Sequence, residues 1–224
     1  MKSSNGLFIC FTGIDGSGKT TLAKSITQFL KDRNLPAEYV YARFQLFISK
    51  PLVILGNKLF LRKCEINKDY ANYSLKKKNL SKNHEILSRI YLYTLLMDYL
   101  LQLIIKIKIP LMLGKVIVCD RYVYDTVLTD FYVDMNFSMK QSISLVNKCF
   151  EIVPIPTKNF LVDVIEETAF KRKNDIPSLE YLKDRRSAYL QIAEYYSMTV
   201  LNGNNNAEQV FKECYERLIN ELGI

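Results

Sequence analysis

At 224 residues, with 49% hydrophobic and 24% charged side chains, the chain has ordinary globular values and enough length to bury a sizeable core, in one domain or one with a small insert. Its formal net charge of +8 draws it to anions, and nucleotides and nucleic acids both qualify. Five widely spaced cysteines without a CxxC pair speak against a disulfide framework and for reduced, buried thiols, so a cytoplasmic setting is expected. The lone histidine, His84, has no Cys or carboxylate arrangement around it that resembles a metal site.

In chain order, residues 7–12 (LFICFT) are a short apolar run of β-formers, the mark of a strand buried on both faces, and no leader peptide is expected ahead of them. The stretch Gly13-Ile-Asp-Gly-Ser-Gly-Lys-Thr20 then matches GxxxxGK[ST] at every fixed position. With Gly near ~7% of residues, chance would produce this pattern in roughly one chain per hundred of this length. Its placement between a strand and a helical run, residues 21–31 with Leu22, Ile26, Phe29 and Leu30 on one side, makes accident rarer still.

Such a loop curls so that successive N–H groups point inward at the positive end of the following helix, and the hollow binds phosphate. Gly13, Asp15, Gly16, Ser17, Gly18, Lys19, Thr20 and Thr21 are therefore the residues expected around a bound nucleotide. Lys19 would reach the β- and γ-phosphates of ATP, and the Thr20 hydroxyl would ligate Mg²⁺.

Residues 37–42 (AEYVYA) predict a second strand, closed by Arg43. Residues 44–64 are apolar and basic and read as helical after Pro51, and residues 68–83, with Lys76-Lys77-Lys78, read as a solvated loop. Residues 85–113 form a long helical segment, broken near Pro110. Asp98, Gln102, Lys106 and Lys108 interrupt it far short of ~20 apolar residues, so it is expected as a buried helix and no membrane partner is expected.

Residues 116–120 (VIVCD) are a buried strand that ends on Asp120, the place from which such sheets hold the magnesium shell. Helices follow at 124–133 and 139–150, with a turn near Asn136. A strand is expected at 159–164, a short helix at 166–173, a longer one from Ser178 to about Tyr196, a last strand at 198–201 and a terminal helix at 207–222. Strand then helix, repeated about five times, specifies an α/β fold: a five-stranded parallel sheet flanked by helices, with ligands above the strand ends.

Missing residues narrow the chemistry. A GTPase switch would show DxxG after the metal strand and NKxD for guanine, and neither is present. An ATPase motor places a second carboxylate after its metal aspartate, whereas Arg121 stands here. A phosphate acceptor is already anionic and needs cations rather than a base, while a hydroxyl acceptor benefits from a positioned carboxylate. Arg43 at the end of the second strand, in place of Asp or Glu, favours a monophosphate acceptor.

Residues 8–21, Gly114-Lys-Val-Ile-Val-Cys-Asp-Arg-Tyr122 and Leu182-Lys-Asp-Arg-Arg-Ser-Ala-Tyr189 together resemble thymidylate kinase. The resemblance implies a P-loop kinase fold over residues 1–224 as one domain, with MgATP as donor, dTMP to dTDP as the reaction and a homodimer as the assembly. It implies that Asp15 contacts the acceptor near its sugar or phosphate, that Asp120 joins Thr20 in the magnesium shell, and that Arg121, with Tyr122 beside it, grips the acceptor. Arg43 resembles the family's phosphate-holding arginine, although the Glu-Pro-Gly-Gly run that normally follows is absent. A short lid at about residues 171–178 would bring Arg172, helped by Lys171 or Lys173, over the transferred group. Asp98 and Tyr99 stand where the family's long helix offers Asp-Arg toward the acceptor. Where the family usually has Ser and then Ala-Tyr-Gln, this chain has Asp125 and then Leu128-Thr129-Asp130. The alternatives are a kinase of another nucleotide, nucleoside or phosphorylated small molecule and, as the weaker reading, a nucleic-acid-binding P-loop protein.

Overall fold

A computed structural model of the chain describes residues 6–45, 85–133, 137–173 and 175–222. The helix expected after Pro51, the lysine-rich loop at 68–83, Cys64, His84 and the turn near Asn136 lie outside the described residues.

The elements run β1 (Phe8–Thr12), α1 (Lys19–Asp32), β2 (Ala37–Tyr41), α2 (Glu85–Leu103), α3 (Ile109–Met112), β3 (Val116–Asp120), α4 (Val123–Thr126), α5 (Met139–Phe150), β4 (Lys158–Asp163), α6 (Glu166–Arg172), α7 (Leu179–Tyr195), β5 (Thr199–Asn202) and α8 (Ala207–Leu222). The five strands form one parallel sheet in the order β2-β3-β1-β4-β5. Since β1 lies between β3 and β4, the loop that leaves it opens where the strand order reverses, the place such sheets leave a crevice for ligands.

The two faces of the sheet explain the unbroken apolar runs. Alternate residues of β1 point to opposite sides, so Ile9 and Phe11 meet Leu22, Ile26 and Leu30 of α1 and Cys214 and Leu218 of α8. Phe8 and Cys10 instead meet Leu103 of α2, Val146 of α5 and Leu182 and Ile192 of α7. Each large side chain buried this way contributes roughly 1.5–3 kcal/mol. Cys10, Cys119, Cys149 and Cys214 are buried, free thiols, as their place in apolar runs required.

Pro110 does not break its helix. A proline removes one N–H and crowds the carbonyl four residues back. The chain answers with a π-helical turn over Ile104–Lys108, in which Ile109 N–H reaches five residues back to Ile104, and α3 then carries Pro110 near its start, where a missing N–H does no harm. The segment expected as one helix at 124–133 divides similarly, into α4 and a π-helical stretch over Val127–Val133.

Candidate active site

Between β1 and α1 the backbone makes its own cavity wall. Gly13, Gly16 and Gly18 take φ values of 143°, 81° and 90°, a region that L side chains rarely enter. At Gly16 space forbids a side chain as well, because a Cβ there would collide with the Ala169 carbonyl of α6. Gly18 caps α1, which has no side-chain cap and no acid in its first turn, so its free N–H groups and partial positive charge face the cavity.

Lys19 is buried and donates to the Ile14 carbonyl at 2.9 Å, arching back over the loop. Burial, reinforced by the nearby charge of Arg121, lowers its pKa to about 8 against the opposing pull of Asp15, Asp125 and Asp120. Thr20 and Thr21 are exposed on the first turn of α1, while Ser17 is buried with no partner for its hydroxyl among the described residues.

Opposite Thr20 lies Asp120 at the carboxyl end of β3. Its Oδ2 accepts from the Thr20 hydroxyl at 2.6 Å and from the Tyr39 hydroxyl at 2.9 Å, while Oδ1 is buried with no partner among the described residues. A hydroxyl and a carboxylate with an unsatisfied oxygen are hard donors, the set Mg²⁺ prefers when phosphates and water complete its shell. Among the described residues no group of three or more His, Cys, Asp or Glu could hold a metal by itself, so any cation here would share its shell with a ligand. The sequence reading missed Tyr39, which the alternation of β2 places on the same face as Tyr41.

Next to Asp120, Arg121 adopts a left-handed φ of 68°, a conformation that costs a non-glycine residue about 1–2 kcal/mol. That turn sends its side chain between two carboxylates: one guanidinium nitrogen pairs with Asp15 in the loop, and the other lies 3.3 Å from Asp125. Asp125 is wholly buried and takes four donors, from Arg121, the Thr12 hydroxyl, the Tyr189 hydroxyl and the Tyr122 backbone N–H. Burial opposes the charge of Arg121, but Asp125, Tyr189 and Asp15 outweigh it and raise its pKa. Burial likewise works against the charge of Asp15, and Arg121, Lys19, Lys173 and Arg43 together hold its carboxyl below the ordinary value. Tyr181 completes the surroundings of Asp15, with its hydroxyl at 3.4 Å.

These groups face a cavity of about 260 Å³. Asp15, Gly16, Gly18, Lys19 and Thr20 line one side, Tyr41 and Arg43 come from the end of β2, Arg121 from the end of β3 and Lys173 from the end of α6. Four cations around one acidic group suit a ligand with several negative charges.

Several expected residues stand elsewhere. Tyr99 is a core residue whose hydroxyl donates to the Ala42 carbonyl at 2.8 Å, and Asp98 is buried and does not line the cavity. Tyr122 is buried against Phe8 and Phe150 and donates to the Pro154 carbonyl. Arg172 turns away to the Gly203 carbonyl at 2.8 Å, which leaves Lys173 as the cation from this segment that faces the loop, 3.8 Å from Asp15. The third motif supplies a clamp that sequence reasoning did not assign: Arg186 on α7 grips both oxygens of Asp163 at 2.7 and 2.8 Å and reaches Glu166 at 3.2 Å, tying the end of β4 and the start of α6 to α7.

No protein-family model matches the chain. Full-length relatives do. A thymidylate kinase of Leptospira interrogans is 28% identical over 230 residues, covering 99% of this chain and 98% of its own. A thymidylate kinase of Clostridium novyi is 24% identical over 94% of this chain and 97% of its own, and a probable thymidylate kinase of Staphylothermus marinus is 23% identical over 99% of each. The likeness runs end to end and includes the phosphate-binding loop and the strands of the sheet. The chain is similar to thymidylate kinases along its whole length. Its five-stranded parallel sheet flanked by helices is the α/β P-loop kinase fold.

Proposed function

We propose that the chain transfers the γ-phosphoryl group of ATP to dTMP, giving ADP and dTDP. The observation that carries this reading is one cleft in which the loop and α1 face Arg43, Arg121 and Lys173. Phosphoryl transfer to an acceptor that is already anionic needs alignment and charge neutralisation rather than a base. Lys19 and the loop N–H groups hold the donor phosphates, Arg43 and Arg121 hold the acceptor phosphate, and Asp15 meets the acceptor near its sugar.

Asp15 shares Arg121 with that phosphate, so the ion pair between them opens partly as the acceptor binds. Thr20 and Asp120 would hold Mg²⁺, which would supply positive charge to offset that of the donor phosphates. Residues 171–178 act as a lid within one kinase domain, with Lys173 as its phosphate-facing cation and Arg172 as its anchor on Gly203.

The assembly we propose is a homodimer in the cytoplasm. Tyr93, Met97, Leu101, Ile105 and Ile109 recur every four residues and are exposed along α2, its π-helical extension and the start of α3, an apolar stripe suited to a second copy. Among the described residues no helix is long and apolar enough to cross a membrane.

Product analysis with MgATP and each nucleoside monophosphate in turn tests the reading. dTDP is the expected product, and no turnover of any monophosphate by the folded protein would overturn it. Phosphorylation of thymidine in place of dTMP would transfer the reading to a nucleoside kinase.

A further inference from the structure

Tyr39 stands on β2, at the edge of the sheet, and its hydroxyl crosses to β3. There it bonds the same Asp120 oxygen that already takes the Thr20 hydroxyl, at 2.9 Å and 2.6 Å. Lys24, one turn beyond Thr20 on α1, holds its ammonium 5.7 Å from the centre of the Tyr39 ring. Donors from two elements, α1 and β2, thus converge on one carboxylate oxygen of β3.

This pattern differs from simple satisfaction of a buried acid. Among the described residues Asp120 has no partner for its other, buried oxygen, Oδ1, so a residue serving only to satisfy the group would be expected on that atom. Tyr39 instead doubles up beside Thr20. A carboxylate held at one oxygen by one donor can still turn about its Cβ–Cγ bond, whereas two donors arriving from α1 and β2 fix its plane. We propose that Tyr39 is a positioning residue, holding Asp120 in the orientation that serves the divalent cation accompanying the donor nucleotide. The inference rests on the kinase reading above and adds to it a residue that neither touches phosphate nor lines the cavity.

Calorimetric titration of ADP into the wild-type chain and Tyr39→Phe, in EDTA and over a range of Mg²⁺ concentrations, tests it without turnover. Only a hydroxyl is removed from a partly exposed ring, and thermal denaturation checks that the variant folds. ADP affinity in EDTA is expected to stay within about twofold, because the loop is untouched. The Mg²⁺ concentration that gives half of the metal-dependent gain is expected to rise about tenfold, the lower end for groups that orient a metal's ligands. An unchanged Mg²⁺ midpoint would overturn the proposal, as would equal loss of affinity with and without metal, which marks a packing role. A wild-type chain that binds no ADP in either buffer would instead overturn the nucleotide reading, and this inference with it.

Discussion

The loop between β1 and α1 offers the cleft its backbone, whereas the wall across the cleft offers side chains, Arg43, Arg121 and Lys173, from three separate stretches of the chain. On the first side the needed geometry is covalent and local: three glycines at positive φ and a helix N-terminus within eight consecutive residues. On the second it depends on a buried network, in which Arg121 is aimed by Asp125, and Asp125 is held in turn by Thr12, Tyr122 and Tyr189. Apart from Lys19 and Thr20, a backbone site is sensitive mainly where a glycine admits no side chain, as at Gly16. A side-chain site fails wherever its supports fail, even far from the ligand.

The sharpest break in that contrast is expected from Gly16→Ala. The added methyl meets the Ala169 carbonyl and must also occupy a positive φ, so the loop has to shift. ADP affinity measured by calorimetry should fall at least ~100-fold, on the order of the effect of removing positioned anion-binding donors. Gly18→Ala, where no atom lies within 4 Å of the new methyl, should lose only about 1 kcal/mol of stability from its positive φ.

Asp125→Asn attacks the other wall through its support. Removing one partner of a buried pair typically costs about 3 kcal/mol, read as a lower melting temperature. Because Arg121 loses its brace while the loop is untouched, KM for the acceptor should rise about tenfold with KM for ATP nearly constant. Equal rises in both would show that the two walls are not separately built.

Lys173→Ala and Arg172→Ala distinguish cavity from anchor within one segment. The first should lower kcat about tenfold, since its ammonium faces the loop and Asp15. The second should leave kcat nearly unchanged and cost about 1 kcal/mol of stability, because its guanidinium is bonded to the Gly203 carbonyl.

The smallest effect is one of pH. In the empty protein Lys19 gives up its proton near pH 8, whereas in the unfolded chain it keeps it to about 10.5. Between those values the unfolded state binds more protons, so this group's contribution to stability rises with pH across the window. Nucleotide binding needs the charge and should take up a proton there. KM for ATP is accordingly expected to climb a few-fold above pH 8, in a pH profile run at constant ionic strength, and Lys19→Met should abolish the climb.

The fold and the backbone wall were largely legible in the sequence because their signals are local. The largely apolar runs at 7–12, 116–120 and 159–164 mark buried strands, found at Phe8–Thr12, Val116–Asp120 and Lys158–Asp163, and GxxxxGKT needs no partner to be read. The side-chain wall was legible only at Arg43 and Arg121, which sit at strand ends where the topology must gather them. The family's Asp-Arg pair on the long helix points to Asp98 and Tyr99, but both are buried, neither lines the cavity, and the Tyr99 hydroxyl donates to the Ala42 carbonyl. Arg172 and Lys173 are adjacent in sequence and carry the same charge, so only the end of α6 decides which of them faces the loop. Asp125 and Tyr39 gain meaning only from partners as many as 113 and 81 residues away.

The central claim is that donor and acceptor anions share one cleft between these walls. Calorimetry with a single ligand in which adenosine and thymidine are joined through a five-phosphate bridge measures it most directly, because one molecule must then span both walls. The account predicts binding at least ~100-fold tighter than ATP or dTMP alone, with most of the gain lost in Lys19→Ala and again in Arg43→Ala. A bridged ligand that binds no tighter than ATP, and is indifferent to Arg43→Ala, would contradict it.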